Sequence, residues 1–497
     1  MSIDQHVAKT TATSAPSAPT PHPNLALLVV VIGVLITAID TTIVVLALPE
    51  IQRSLHIGLA SVIWVIIGYL FVITVLSTQV GRLGDMFGRV RMYEAGFLVF
   101  IAGSLACALA WNEASLIVFR LAQGVGGALI TANSGAVIAD NFPEDQRGRA
   151  YGFNAIGFNT GAVFGVVLGG IIVTYVSWRW IFWINVPIGI MAVALARRVL
   201  VDPGTRERAQ LDWWGMATLG LGLFGLLWAM VKLTSESLDP TIIGYFVGGV
   251  VMLVVCWQIE RRARQPMLDL QLFRVPTMTP SLLAAMFQSL ANFAVLFLLL
   301  MYLQGARQLS PIHASLLLVP GYVVGGVVGP FAGRLADRRG AVLPATVGLG
   351  IQTIALLAYA QFGLATPLWV VAAAYVVGAF GGGCFFPSNN SAVMKAAPDY
   401  DFGITSGLLR TFANVGMVFS FALAIVVAAQ TITKQEAFAI FVGTDTLTRS
   451  TAAAFTDGIH AAFYASMSLM VVAALLSAMR NHSKATDRPS SASIESD

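Results

Sequence analysis

The chain has 497 residues, 57% of them hydrophobic and 11% charged, with a mean hydropathy of +0.78. A soluble globule carries about 25% charged residues, so this composition cannot cover a water-facing surface and excludes one. The net charge of +4 is no nucleic-acid footprint, and the three cysteines (Cys107, Cys256, Cys384) fall inside apolar stretches as small core residues with no disulfide framework.

Residues 1–24 are rich in Ser, Thr, Ala and Pro without a signal-peptide pattern, and are expected to be a disordered tail. Fourteen apolar spans follow, at 25–48, 62–80, 92–111, 115–139, 150–175, 179–199, 212–232, 241–260, 277–302, 312–332, 342–361, 367–395, 403–430 and 461–480. Each is long enough to cross a bilayer as a helix, which predicts an all-α polytopic membrane protein. The even number puts both termini on one face. Of the 29 Lys and Arg residues, 21 fall on that face and six on the other, with Arg120 and Arg410 inside spans. Basic residues collect on the cytoplasmic side, so both termini are expected there, in a plasma membrane. Residues 431–460 form the longest outer loop and 481–497 a second disordered tail.

Asp40, in the first span, is the only acidic residue deep within any predicted span. A carboxylate near the bilayer centre costs about 2.5–3.5 kcal/mol on insertion scales, so it is either functional or locked in a structural salt bridge. Arg120, in the fourth span, stands at a matching depth. Asp40 lies about 22 Å from the cytoplasmic end, and Arg120 lies about 7.5 Å down from the outer end of a roughly 30 Å core. A pair between them is therefore possible; snorkelling of Arg120 to the outer surface is the alternative. Thr41, Gln123 and Asn133 are the polar candidates for a cavity lined by the first and fourth spans.

Between the second and third spans runs Gly81-Arg82-Leu83-Gly84-Asp85-Met86-Phe87-Gly88-Arg89-Val90-Arg91, read as a charged, glycine-punctuated loop. A weaker copy, Gly333-Arg334-Leu335-Ala336-Asp337-Arg338-Arg339-Gly340, stands 252 positions later, aligning Asp85 with Asp337 and Gly88 with Gly340. Two copies imply two similar membrane halves. They follow the second and tenth spans, so an extra pair, roughly 212–260, is inserted between two six-span halves. Asp85 can accept backbone N–H bonds and pair with Arg89, Arg147 or Arg149. The bland alternative is an ordinary positive-inside turn.

Glycine recurs every four residues in the fifth span (Gly157, Gly161, Gly165, Gly169) and the tenth (Gly321, Gly325, Gly329, Gly333). Such faces let helix backbones approach closely, as static packing or as interfaces that rock, and their recurrence at matching places in two halves favours rocking. Trp178-Arg179-Trp180-Ile181-Phe182-Trp183 places three Trp where an aromatic belt is expected. The glycine-rich run 378–383 and Pro387 predict a bent helix, and Arg410 is either substrate-facing or a helix-end cation.

The loop signature and its copy resemble those of the major facilitator superfamily of transporters. The six-plus-two-plus-six plan resembles its fourteen-span drug:proton antiporter branch. So do Asp40-Thr41-Thr42-Ile43-Val44-Val45-Leu46-Ala47-Leu48-Pro49 in the first span, Arg120-Leu121-Ala122-Gln123-Gly124-Val125-Gly126-Gly127 in the fourth and Trp178 to Gly189 in the sixth. Three positions depart from the family pattern: Val45 stands for Asn, Met86 for a basic residue, and Val166, in Gly165-Val166-Val167-Leu168-Gly169-Gly170, for the Pro of the antiporter motif. The resemblance implies proton-coupled efflux of an amphipathic small molecule by alternating access. It implies proton coupling through Asp40 and Arg120, and a cytoplasmic latch formed by Gly81, Gly84, Asp85, Gly88, Arg89, Arg91, Gly333, Asp337 and Arg338.

The implied organisation is a tail (1–24), a six-helix bundle (25–200), two inserted helices with linkers (201–275), a second six-helix bundle (276–480) and a tail (481–497). The partners are the lipid bilayer, protons and the substrate, acting on a monomer without nucleic acid. A facilitator or importer of a metabolite is the runner-up. A membrane-embedded enzyme or receptor ranks last, because the chain has no nucleotide-binding glycine loop and its six histidines are scattered. No metal or other cofactor is expected.

Overall fold

The computed structural model describes residues 22–142, 144–202, 211–235, 238–263, 272–396, 402–428 and 449–480. These form α1 (Pro23–Leu55), α2 (Leu59–Phe87), α3 (Arg89–Ala108), α4 (Glu113–Asn141), α5 (Glu144–Tyr175), α6 (Trp180–Trp183) and α7 (Asn185–Val199). There follow α8 (Trp213–Ser235), α9 (Pro240–Arg262), α10 (Met278–Leu300), α11 (Pro311–Arg339), α12 (Val342–Tyr359), α13 (Leu368–Ala396), α14 (Phe402–Ala428) and α15 (Arg449–Ala478). Among the described residues thirteen helices are long and apolar enough to span a membrane; the stretches Ser61–Ser77 and Gln79–Phe87 of α2, bent by 57°, make a fourteenth when counted as one span. The short α6 and α7 together form the sixth span, and α10 ends in a π-helical turn, Met301–Ala306.

Local chemistry sets the helix ends. Pro23 and Pro311 occupy the first turns of α1 and α11, where a missing N–H costs nothing. Asn112 and Ser115 form a reciprocal capping box at α4, satisfying donors that the first turn leaves free. Asp239 caps α9 by accepting from Ile242 N at 2.8 Å.

Several boundaries differ from the sequence expectation. The 81–91 stretch is not a loop: α2 runs through Phe87 and α3 begins at Arg89, leaving Gly88 alone at φ +104. The copy behaves alike, with α11 continuing to Arg339 and Gly340 at φ +95. Charged residues at the wet end of a helix need not end it; one residue at positive φ does, and glycine adopts that φ most readily. Pro23 and Asn24, assigned to the tail, already form the first turn of α1, and α15 begins at Arg449 inside the expected outer loop. The rest of that loop, both tails and the linkers 203–210 and 264–271 lie outside the described residues. Pro387 sits within an unbroken α13.

The two halves pack alike. In the first, α1 lies on α5, α2 on α4, and α3 on α4 and α7; in the second, α10 lies on α14, α11 on α13, and α12 on α13 and α15. Across the halves α5 meets α11 and α2 meets α14, while the added pair α8–α9 packs on itself and through α8 on α2 and α14.

The glycine faces turned out to lie inside the halves. Gly157, Gly161, Gly165 and Gly169 face Val31, Leu35, Ile39 and Ile43 of α1, and Gly161 would set a Cβ 2.6 Å from Leu35 O. Gly321, Gly325, Gly329 and Gly333 face Tyr375, Ala379 and Pro387 of α13. The cross-half contact uses their neighbours instead: Gly170 meets Pro311 and Ile312, and Gly326 meets Asn159. Nor are α5 and α11 counterparts, since α11 occupies the place of α2 in its half. A fourfold spacing marks a close-packed face without saying which neighbour fills it.

Candidate functional site

The helix pairing of the first half brings α1, α2, α3, α4 and α7 around Asp40. The carboxylate is 0% exposed and Arg120 1%. Arg120 Nη1 donates to Asp40 Oδ2 at 2.7 Å, the direct pair that the matching depths allowed. Gln123 Nε2 donates to Asp40 Oδ1 at 2.8 Å, and Asn185 Nδ2 donates to the same oxygen at 3.1 Å. The anion is therefore met by three donors.

Arg120 is held on its other sides as well. Its Nε donates to Val65 O at 2.9 Å and its Nη1 to Gln123 Oε1 at 2.6 Å. The guanidinium carbon lies 4.4 Å from the Tyr69 ring centroid and 5.6 Å from that of Phe182. Such contacts offset the desolvation of a buried cation, which a lone ion pair does poorly. Ser104 Oγ closes the network, accepting from Gln123 Nε2 at 2.7 Å and Asn185 Nδ2 at 3.4 Å.

The other cavity candidates do not join it. Thr41 Oγ1 donates to Thr37 O at 2.9 Å within α1. Asn133 is 1% exposed, donates to Leu129 O at 2.9 Å and packs against Gly84, which leaves room for it by lacking a side chain. It thus belongs to the α2–α4 seam and not to a cavity wall. Of the three expected belt residues, Trp180 is 54% exposed but Trp178 is buried, with Arg179 stacked over it at 4.4 Å.

The turns carry two different braces. At the first, Arg89 Nε donates to Asp85 Oδ1 at 2.9 Å and Arg89 Nη1 to Asp140 Oδ1 at 2.7 Å, tying α2, α3 and α4 together. Arg91 lies 3.9 Å from Asp202, whose carboxylate fills the space a Cβ at Gly88 would need. Gly81 faces open space. At the second, Asp337 Oδ1 accepts from Ser391 at 2.7 Å and lies 3.2 Å from Lys395 Nζ, both on α13; Arg338 is exposed. These contacts stay within one half each, unlike a latch spanning both. The side chains of Arg147 and Arg149, also expected at Asp85, lie outside those described. A polar cross-half contact comes from Arg410, whose Nη1 donates to Thr131 O of α4 at 2.7 Å.

Sequence reasoning missed Asn185, Ser104 and Tyr69 at Asp40, and Asp140 and Lys395 at the turns. Asn185 has a signal, since it stands in the 178–189 string, whose reading as family evidence and anchoring assigns it no place in a site. Among the described residues no His, Cys, Asp and Glu side chains group as a metal site.

A family model described as Major Facilitator Superfamily matches residues 30–421. The drug efflux pump JefA of Mycobacterium tuberculosis is 30% identical over 419 residues, 82% of this chain and 81% of that protein. The riboflavin transporter RibZ of Clostridioides difficile is 28% identical over 414 residues, 83% of this chain and 90% of that one. Among solved structures, an inward-facing bacterial homologue of the human lysosomal transporter Spinster shares the fold, with a TM-score of 0.65 at 15% identity, covering 93% of this chain and 97% of that one.

Proposed function

The chain belongs to the Major Facilitator Superfamily, as a multi-pass membrane transporter, and on that premise we propose that it exports amphipathic small molecules in exchange for protons. One observation carries the reading: a fully buried carboxylate, Asp40, held by Arg120, Gln123 and Asn185. A charge placed at that depth needs a use, and one that can be neutralised by a proton supplies a switch.

In the cycle, Asp40 takes a proton while facing outward and loses its charge-assisted hold on Arg120. Arg120 keeps Val65 O and Gln123 Oε1, so the cation stays in place while α1 is released. The halves then rock inward, where proton release and substrate capture restore the anion. The proton-motive force sets direction, each charge crossing being worth about 2.3 kcal/mol per 100 mV. The similarity to a drug efflux pump supports export, and that to a riboflavin transporter supports a flat, amphipathic substrate.

The working arrangement is a monomer with both termini in the cytoplasm, divided as 25–200, 201–275 and 276–480. The braces at Gly88 and Gly340 then lie at the cytoplasmic face and hold each turn ready for a latch across the halves in the outward-open state. Efflux of a fluorescent amphipathic dye from energised cells tests the reading, and a protonophore is expected to stop it. Protonophore-insensitive movement, or net dye uptake, would replace it with a facilitator or importer.

A further inference from the structure

The added helices α8 and α9 belong to neither six-helix half, and the cycle proposed above gives them no task. They form one unit. Gly222 and Gly225 of α8 face Gly249 of α9, and a Cβ at Gly249 would lie 2.9 Å from Gly222 O, so the two backbones touch. On its far side α9 exposes Phe246, Val250, Val254 and Trp257, a face suited to the hydrocarbon core.

The unit sits where the halves meet. There α2 of the first half packs on α14 of the second, and α8 packs on both. Val75 of α2, Leu219 and Leu223 of α8 and Cys256 of α9 form one buried apolar cluster, against which Phe71 of α2 and Val415 and Phe419 of α14 pack. The two attachments differ in kind. On the α2 side Trp64 meets Phe224 at 5.6 Å and Trp228 at 5.7 Å, and Phe71 meets Phe224 at 6.2 Å. Phe224 and Trp228 stand one turn apart on α8, and Trp64 and Phe71 two turns apart on α2, so large rings interlock along both helices. Such rings must unlock before the helices can shift, because a close-packed contact has discrete arrangements. On the α14 side Val415 and Phe419 present an apolar face to the cluster. Apolar burial is non-directional, so that contact can slide while its area is kept.

We propose that the added pair is a cover over the α2–α14 seam, carried by the first half and sliding on the second. The inference rests on the rocking of the halves in the cycle above. As they rock, α2 and α14 shift against one another, and an apolar cover that travels with α2 keeps lipid tails out of the seam.

The test starts from full-length protein lacking the native cysteines. Phe71→Cys with Phe224→Cys joins α8 to α2, and Leu223→Cys with Phe419→Cys joins α8 to α14. A short bifunctional thiol reagent should leave most dye efflux with the first pair and abolish it with the second. An inactive unlinked parent would count against the export reading alone, because spin-label distances on the same pairs in lipid nanodiscs still decide the proposal. The first pair should give one narrow distance and the second a broad or doubled one. Equal tolerance of the two links, equal widths, or the opposite order would overturn the sliding cover. Val415→Cys should react with a lipid-soluble maleimide roughly tenfold more slowly than Val250→Cys, since only local opening reaches it; equal rates would overturn the seal. If Leu223→Cys with Phe419→Cys does not fold, Leu219→Cys with Val415→Cys takes its place.

Discussion

Replacing Asp40 with Asn separates the charge of the site from its shape. The carboxylate accepts from Arg120 at 2.7 Å, Gln123 at 2.8 Å and Asn185 at 3.1 Å. An amide keeps one acceptor, which turns toward Arg120, and sets its own NH2 against the other two. Asn185 can resolve that conflict by turning over, because its Oδ1 has no partner in the native arrangement. Gln123 has no such freedom, because its Oε1 already accepts from Arg120, so the remaining costs are its Nε2 facing that NH2 and an Arg120 without counter-charge. Breaking a buried pair by removing one partner costs about 3–5 kcal/mol. Arg120 retains Val65 O, Gln123 Oε1 and two aromatic faces, so the loss should fall at the lower end, about 3 kcal/mol. Adding Arg120→Gln should recover much of it, giving a coupling of about 2 kcal/mol in a double-mutant cycle of thermal stability. In proteoliposomes the Asp40→Asn protein should exchange substrate down a gradient, since it mimics the protonated state. It should not concentrate substrate in response to an imposed pH gradient. Pumping by this variant would refute the reasoning and send proton coupling elsewhere.

Two further outcomes are expected. A Cβ at Gly103 would lie 2.7 Å from Gln123 Cα and 2.8 Å from its N, so Gly103→Ala must part α3 from α4 beside the Asp40 network, at about 1–3 kcal/mol. Gly244→Ala meets nothing within 4 Å, and equal thermal shifts for the two would show that this packing is not what holds the bundle. Trp111 and Phe87, 70% and 50% exposed, stand at opposite ends of the bundle. In a background lacking the native cysteines, Trp111→Cys should react with an impermeant thiol reagent on intact cells and Phe87→Cys only after permeabilisation; the reverse would invert the orientation.

The spans were legible in the amino-acid string, thirteen or fourteen of them, because a bilayer fixes how long an apolar run must be and the composition leaves no other use for such runs. The repeated turn was legible there too, with Gly88 and Gly340 in its two copies, because a positive φ is a local demand that glycine meets at little cost. The same string also marked Asp40 and Arg120, since a charge at membrane depth is costly enough to stand out in a string of apolar residues. Tertiary structure alone decided who answers those charges. Asn185, Gln123 and Ser104 are neutral and inexpensive to place in a helix, so only convergence of α1, α3, α4 and α7 reveals them as one network. The glycine faces had a legible spacing but an illegible partner, because a smooth helix face fits several neighbours and global packing selects one.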